Sequence, residues 1–96
     1  MGGMKSIIQK DTSRCFFCGS MQGLEEHHVF GGVANRKISE RYGLKITCCK
    51  FHHTDPKDGV QYNRELNQRT KRLAQIAFEA RWTHELWMQE IKKNYL

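Results

Sequence analysis

Cys15-x-x-Cys18 and Cys49-x-x-His52 repeat one spacing. Thiolate sulfur and imidazole nitrogen are the donors that tetrahedral zinc takes, and a two-residue gap lets a tight turn bring two of them to one point. Four such donors from two turns make a closed, structural site with no position left open for a substrate. Cys48 competes with Cys49 for the third position, but it breaks the matched spacing, and a free cysteine readily packs as a small hydrophobe. A redox dithiol at Cys15 and Cys18 is the other reading, although no thioredoxin-like βαβ pattern surrounds the pair.

Once His52 is assigned to zinc, His53 remains free, as do the adjacent His27 and His28 in the stretch EEHHVFGG. Imidazole has an ordinary pKa of about 6.5, so near pH 7 it can accept a proton from water or ligate a divalent ion. Neighbours on a regular strand point to opposite faces. His27 and His28 can therefore serve one phosphate only at a strand end or irregularity, which Gly31-Gly32 makes available. The alternative pair is Glu26 with His28, which share a face. His84 reads as a surface residue, Glu25 as a solvated one, and Trp82 and Trp87 as core or interface anchors at helical spacing.

These groups need elements to position them. Ile7-Ile8 suggests an extended lead-in, and residues 12–23 read as a cysteine knuckle turned by Gly19 and, soon after, Gly23. Residues 24–30 predict a strand with Leu24, Val29 and Phe30 as apolar contacts. Residues 33–41 are polar and loop-like, with at most a helical turn at Ser39-Glu40-Arg41. Residues 42–49 alternate as a second strand: Leu44, Ile46 and Cys48 share one face, Lys45, Thr47 and Cys49 the other. That alternation sends Cys48 to the core and lets Cys49 reach a metal. Helical character begins near Lys50 and is interrupted at 55–59. A long helix follows over 63–81, with Leu66, Leu73, Ala77 and Ala80 as its apolar stripe. A last helical segment has Thr83 as its N-cap. The expected class is α+β, one domain: 12–54 holds the knuckles and strands, 60–96 the helical part, and Met1–Gly3 reads as a short extension.

A chain of 96 residues buries only about two-thirds of the surface its unfolded form exposes, so a metal would support a modest core. Mean hydropathy is −0.71, and no run approaches the roughly 20 apolar residues of a membrane span. The N-terminus has no apolar h-region, which argues against secretion and for a cytoplasmic setting. Net charge is +6 and pI about 9.4, a balance that favours a polyanionic partner such as nucleic acid. Arg36, Lys37 and Arg41, on the predicted loop, and Lys50, Lys57 and Arg64, flanking the predicted helix after the second strand, are the candidate phosphate contacts.

The ordered set CFFC, EEHHVFGG and YGLKITCCKFHH resembles the HNH endonucleases, and the endings QIAFEA and KNYL look like those of small phage and prophage members. The resemblance spans Cys15 to Leu96. It implies a core of two strands and a helix around one catalytic metal (the ββα-metal fold), with His28 as general base and His27 and His53 as ligands of a catalytic divalent ion. It also implies that Cys15, Cys18, Cys49 and His52 hold a structural Zn²⁺, with His52 standing where a cysteine is commoner. The sequence departs from the family where the middle Asn should fall: Tyr42-Gly43-Leu44 stands there, and Asn35 lies well inside the loop. In the family that Asn braces the loop behind the base.

The implied activity is metal-dependent hydrolysis of DNA phosphodiester bonds, giving 5′-phosphate and 3′-hydroxyl ends. Mn²⁺, Ni²⁺ or Zn²⁺ suits two imidazoles, and Mg²⁺ is compatible if water and phosphate fill the rest of its shell. DNA is the expected partner, in a bacterial or phage-infected cell. A second copy of the chain and a phage protein are further candidates, and no membrane role is expected. The alternative function is a non-catalytic zinc-stabilised module that binds nucleic acid. A structural zinc domain docking a protein through the C-terminal Trp/Tyr helix is a third reading.

Overall fold

The computed structural model describes residues 4–96; the Met1–Gly3 extension lies outside the described residues. Strand β1 (Leu24–His28) pairs antiparallel with β2 (Lys45–Cys49), with Leu24 opposite Cys49 and His28 opposite Lys45. Between them lies helix α1 (Val33–Tyr42), and after them come α2 (Lys50–Thr54), α3 (Arg64–Glu79) and α4 (His84–Glu90). This is a small mixed α/β fold with one two-stranded sheet. Such a hairpin is marginal alone and needs helices packed on it.

The segment expected to be a polar loop over 33–41 is instead the ten-residue helix α1. Its exposed face carries Asn35, Arg36, Lys37 and Arg41, which is why no apolar stripe announces it. What holds it is buried on the other side. Ser39 is fully buried, and its hydroxyl accepts from the Phe30 amide (3.2 Å) and donates to the Phe30 carbonyl (3.0 Å). The helix stops at Gly43, whose φ of 70° is left-handed, a conformation glycine adopts without penalty.

Gly43 also receives the N-terminal lead-in. Ile7 donates to the Gly43 carbonyl (3.0 Å), and a Cβ at Gly43 would lie 2.2 Å from the Lys5 carbonyl oxygen. Gly43→Ala is therefore expected to lose about 1–2 kcal/mol from the left-handed backbone alone and more from displacing residues 5–7. Gly23→Ala is the control: φ is 61°, but open space surrounds the added methyl. Denaturant midpoints of the two variants should separate clearly, and equal midpoints would refute the role given to the lead-in.

The main core joins Val29, Phe30 and Leu44 to Ala74, Phe78 and Trp87 of α3 and α4. Tyr42, Phe78, Trp82 and Trp87 stack edge-on or tilted at centroid distances of 4.8–5.3 Å, so both tryptophans are core anchors. A second cluster of Cys15, Ile46, Cys48, Cys49 and Val60 lies around the cysteines.

Helix α3 starts at Asn63, whose side chain accepts from the Leu66 amide, and α4 starts at Thr83, which caps the Leu86 amide. The buried stripe of α3 is Thr70, Ala74, Gln75 and Phe78. The expected stripe of Leu66, Leu73, Ala77 and Ala80 is corrected: Leu73 is 37% exposed and Ala80 is exposed. Polar Thr70 and Gln75 take the inner face because their hydrogen bonds are met internally. Thr70 donates to the Leu66 carbonyl. Gln75 donates to Asn94 Oδ1 (2.7 Å) and accepts from the Tyr95 amide (2.6 Å), which clamps the C-terminal tail.

Candidate metal centre and adjoining histidine cavity

The knuckle at 15–18 is turned by backbone bonds: Gly19 N–H donates to the Cys15 carbonyl and Cys15 N–H to the Ser20 carbonyl. Phe16 N–H donates to the Thr47 carbonyl (2.8 Å), and the Thr47 amide donates to Gln9 Oε1 (2.7 Å), so the knuckle lies along β2. Cys49 closes β2 and begins α2, whose first turn delivers His52.

The donor atoms of Cys15, Cys18, Cys49 and His52 all lie within 4.8 Å of one another. Cys18 Sγ is 3.8 Å from Cys49 Sγ. His52 Nδ1 is 3.3 Å from Cys49 Sγ and 3.8 Å from Cys15 Sγ. Zinc–sulfur bonds of about 2.3 Å in a tetrahedron place sulfurs about 3.8 Å apart. This Cys₃His group can hold a metal such as zinc.

The local electrostatics agree. Burial pushes the Cys15 thiol up, but amide donors at Cys49, Cys18 and Phe17 outweigh it and bring the pKa down to about 6, toward the thiolate a metal binds. Cys48 behaves oppositely: fully buried, it is pushed up to about 12 mainly by desolvation. It stays a neutral core thiol, as strand alternation requires.

The register sorts the remaining chemistry onto two faces. Glu25 and His27 stand opposite Cys48 and Ile46; Glu26 and His28 stand opposite Thr47 and Lys45. On the first face, His53 of α2 meets both residues of β1. Its Nδ1 lies 2.8 Å from Glu25 Oε1, and its ring centroid is 5.1 Å from that of His27. A carboxylate only accepts, so His53 donates from Nδ1, and the neutral ring would offer Nε2 as its acceptor or metal-binding atom. A carboxylate holding the far nitrogen is how ligating histidines are oriented. Glu25, expected to be merely solvated, is that carboxylate.

His27 is only 8% exposed, and its Nε2 is buried with no hydrogen-bond partner among the described residues. Burial, then the charges of His53, His28 and Lys71, lower its pKa to about 4. His27 is thus a neutral imidazole at pH 7 with an unsatisfied nitrogen beside a braced second imidazole. An orphan of this kind costs about 1–3 kcal/mol, and a shared metal ion would satisfy it.

His28 lies on the opposite face. Its Nε2 is 2.5 Å from Glu40 Oε1, and Glu26 Oε1 is 3.7 Å away. Donor atoms of Glu26, His28 and Glu40 come within 4.8 Å of one another. The Lys45 ammonium supplies positive charge to that group, 3.0 Å from Glu40 and 3.5 Å from Glu26. The structure therefore joins His27 to His53 directly and sets His28 in a separate carboxylate–lysine network. All three still border one open cavity of about 440 Å³, lined also by Gly31, Gly32, Arg36, Gln61, Asn67 and Lys71.

Of the six cations expected to contact phosphate, Arg36 alone is among the residues lining that cavity. Arg41 instead leans toward Glu90 (3.5 Å). Lys37, Lys50, Lys57 and Arg64 are exposed outside the lining. Lys71, a basic residue on the surface of the long helix in the sequence, and Asn67 also border the cavity, a placement the sequence does not assign because α3 lies far along the chain; their i, i+4 spacing on one helix face is the available signal. Comparison with protein-family models, with curated proteins and with solved structures gives no match.

His27→Leu tests the orphaned imidazole. In the absence of added divalent ion, the zinc-loaded variant is expected to be more stable than the wild type by about 1 kcal/mol or more, because the unsatisfied nitrogen is gone. Mn²⁺ should raise the melting temperature of the wild type only, through a stabilisation reaching about 2.7 kcal/mol at 100 times its Kd. The pH dependence should also flatten. In the wild type the unfolded His27 binds a proton from about 6.5 downward while the folded one resists until about 4, so stability falls as pH drops through that window, at up to about 1.4 kcal/mol per pH unit. A variant with unchanged Mn²⁺ response and unchanged pH dependence would sink the ligand role.

Proposed function

We propose that this chain is a metal-dependent DNA endonuclease built on an HNH-type core, with a structural zinc at Cys15, Cys18, Cys49 and His52. The observation that carries the reading is the orphaned Nε2 of His27 beside His53, whose far nitrogen is held by Glu25, on a cavity bordered by Arg36 and Lys71. The donor set fits a divalent ion: the imidazoles of His27 and His53 are ligands that such ions take. Bound there, such an ion would supply Lewis acidity at the phosphate and at the leaving 3′ oxygen.

The chain's own residues supply the rest. His28 is the base. Glu40 accepts from its Nε2–H, which leaves Nδ1 with the lone pair that takes a proton from water. The Lys45 ammonium holds the second oxygen of Glu40, so the imidazole is fixed from behind. Ser39, by bonding both backbone groups of Phe30, braces the turn after β1 and takes the part expected of the missing asparagine. Arg36 offers a cation to a phosphate entering the cavity.

The test is incubation of supercoiled plasmid with wild type and His28→Ala, under Mg²⁺, Mn²⁺ or chelator. Nicking is expected from the wild type with metal and lost in the variant. No conversion under any metal would refute the nuclease reading for plain DNA and favour the non-catalytic binding module.

A further inference from the structure

Lys71 is the one ammonium on α3 that borders the histidine cavity, and it is placed unusually. It follows the buried Thr70 on the helix and is itself half-buried. Its Nζ lies 5.7 Å from the ring centroid of Phe30 and 5.9 Å from that of Tyr95. No carboxylate among the described residues forms an ion pair with it. It is thus a partly buried cation at the edge of the cavity with no acid to neutralise it. Aromatic faces attract an ammonium without cancelling its charge, so the two rings favour this position, although Lys93 lies closer to the Tyr95 ring, at 5.2 Å.

The posture has a visible support. Asn67, Lys71 and Gln75 fall at i, i+4 and i+8, along one stripe of α3. The first two border the cavity and the third is buried. Gln75 uses both ends of its amide on the tail: it donates to Asn94 Oδ1 and accepts from the Tyr95 amide. Trp87 Nε1 donates to the Lys93 carbonyl (2.8 Å). The C-terminal tail is thus pinned so that the Tyr95 ring stands over Lys71. Phe30, the other ring, is held by Ser39 in the turn that follows His28.

We propose that Lys71 is a substrate-contacting residue of the cavity, its ammonium binding the phosphate of a nucleic-acid strand that reaches His27 and His53. The proposal rests on the endonuclease reading for the identity of that strand. Desolvation and the neighbouring Lys93 lower the Lys71 pKa, the sign expected of a cation awaiting an anion. A phosphodiester carries one negative charge on two oxygens, and it would meet Lys71 on the α3 side and Arg36 on the α1 side. The rival explanation, that Lys71 only packs its stem under two rings, predicts no contribution to binding.

The experiment separates this from the nuclease reading by measuring binding without cleavage. In the His28→Ala background, the affinity for a short fluorescent DNA duplex is followed against salt by anisotropy. Lys71→Met is expected to reduce the magnitude of the log Kd against log salt slope by about 0.9, one phosphate contact. Lys71→Arg should keep the slope. With His28 present, Lys71→Met should also slow nicking by about 10²–10³-fold, and Lys71→Arg should recover part of it. An unchanged slope in Lys71→Met, at unchanged zinc content and melting temperature, overturns the contact. A reduced slope with undiminished nicking overturns its placement at the reacting phosphate. If the wild type does not nick but Lys71→Met still loses slope, the nuclease reading fails and the phosphate contact stands. Should Lys71→Met not fold, Lys71→Gln carries the same readout.

Discussion

Cys49→Ser is expected to leave a chain with little cooperative structure at 25 °C, and chelation of the wild type at neutral pH should do the same. Zinc binding of this kind is worth about 10–16 kcal/mol in small peptides near pH 7, while whole domains retain only about 5–15 kcal/mol. Cys49 is where the loss spreads. It ends β2, begins α2, and shares its site with the knuckle ligands and with His52. Without it, the knuckle keeps only the packing of Cys15, Phe16 and Phe17 against Ile46 and Cys48 and a few backbone hydrogen bonds, among them Phe16 to the Thr47 carbonyl and Lys50 to the Gly23 carbonyl.

Cys48→Ala is the matched control. Cys48 is fully buried but its sulfur is outside the metal group, so the cost should be about 1 kcal/mol with zinc content unchanged. Far-UV circular dichroism and metal analysis of both variants decide the matter. A Cys49→Ser protein that melts as the wild type does, or a Cys48→Ala protein that loses its zinc, would show that the wrong cysteine has been assigned.

His28→Ala is expected to lower plasmid nicking by about 10²–10⁴-fold, the range for a positioned general base, while melting temperature and zinc content hold. The fold should tolerate it because Glu40 keeps its bond to Lys45 when the imidazole is gone. His28→Gln sharpens the result. Its amide nitrogen can still donate toward Glu40, but no atom of it accepts a proton near neutral pH. Equal losses in the two variants assign the effect to proton transfer. Recovery in His28→Gln would mean that His28 acts only by holding Glu40. Nicking indifferent to both would move the base elsewhere, and the face shared by Glu26 and Glu40 is where it would be sought.

Local chemistry was legible from residues close in sequence. The Thr83 cap and the Asn63 start of α3 need only neighbours to act on. Helix α1 was not legible, because its stability comes from Ser39 reaching Phe30 and from the lead-in meeting Gly43, contacts that cross the chain. The stripe of α3 was misread for the same reason: Thr70 and Gln75 are polar residues whose burial depends on partners.

The sequence by itself determined the Cys₃His donor group. Two matched spacings and the two-residue period of a strand are enough to select Cys49 over Cys48, since both are local geometric facts. Only the tertiary structure decided how the histidines divide. Pairing with β2 places His27 on the face where His53 arrives and His28 on the face where Glu40 and Lys45 arrive. It also decided that Lys71, far along the chain, comes to border their cavity between two aromatic rings. The physical reason is that a ligand's identity depends on its type and spacing, while its surroundings depend on which helix packs against which face of the sheet.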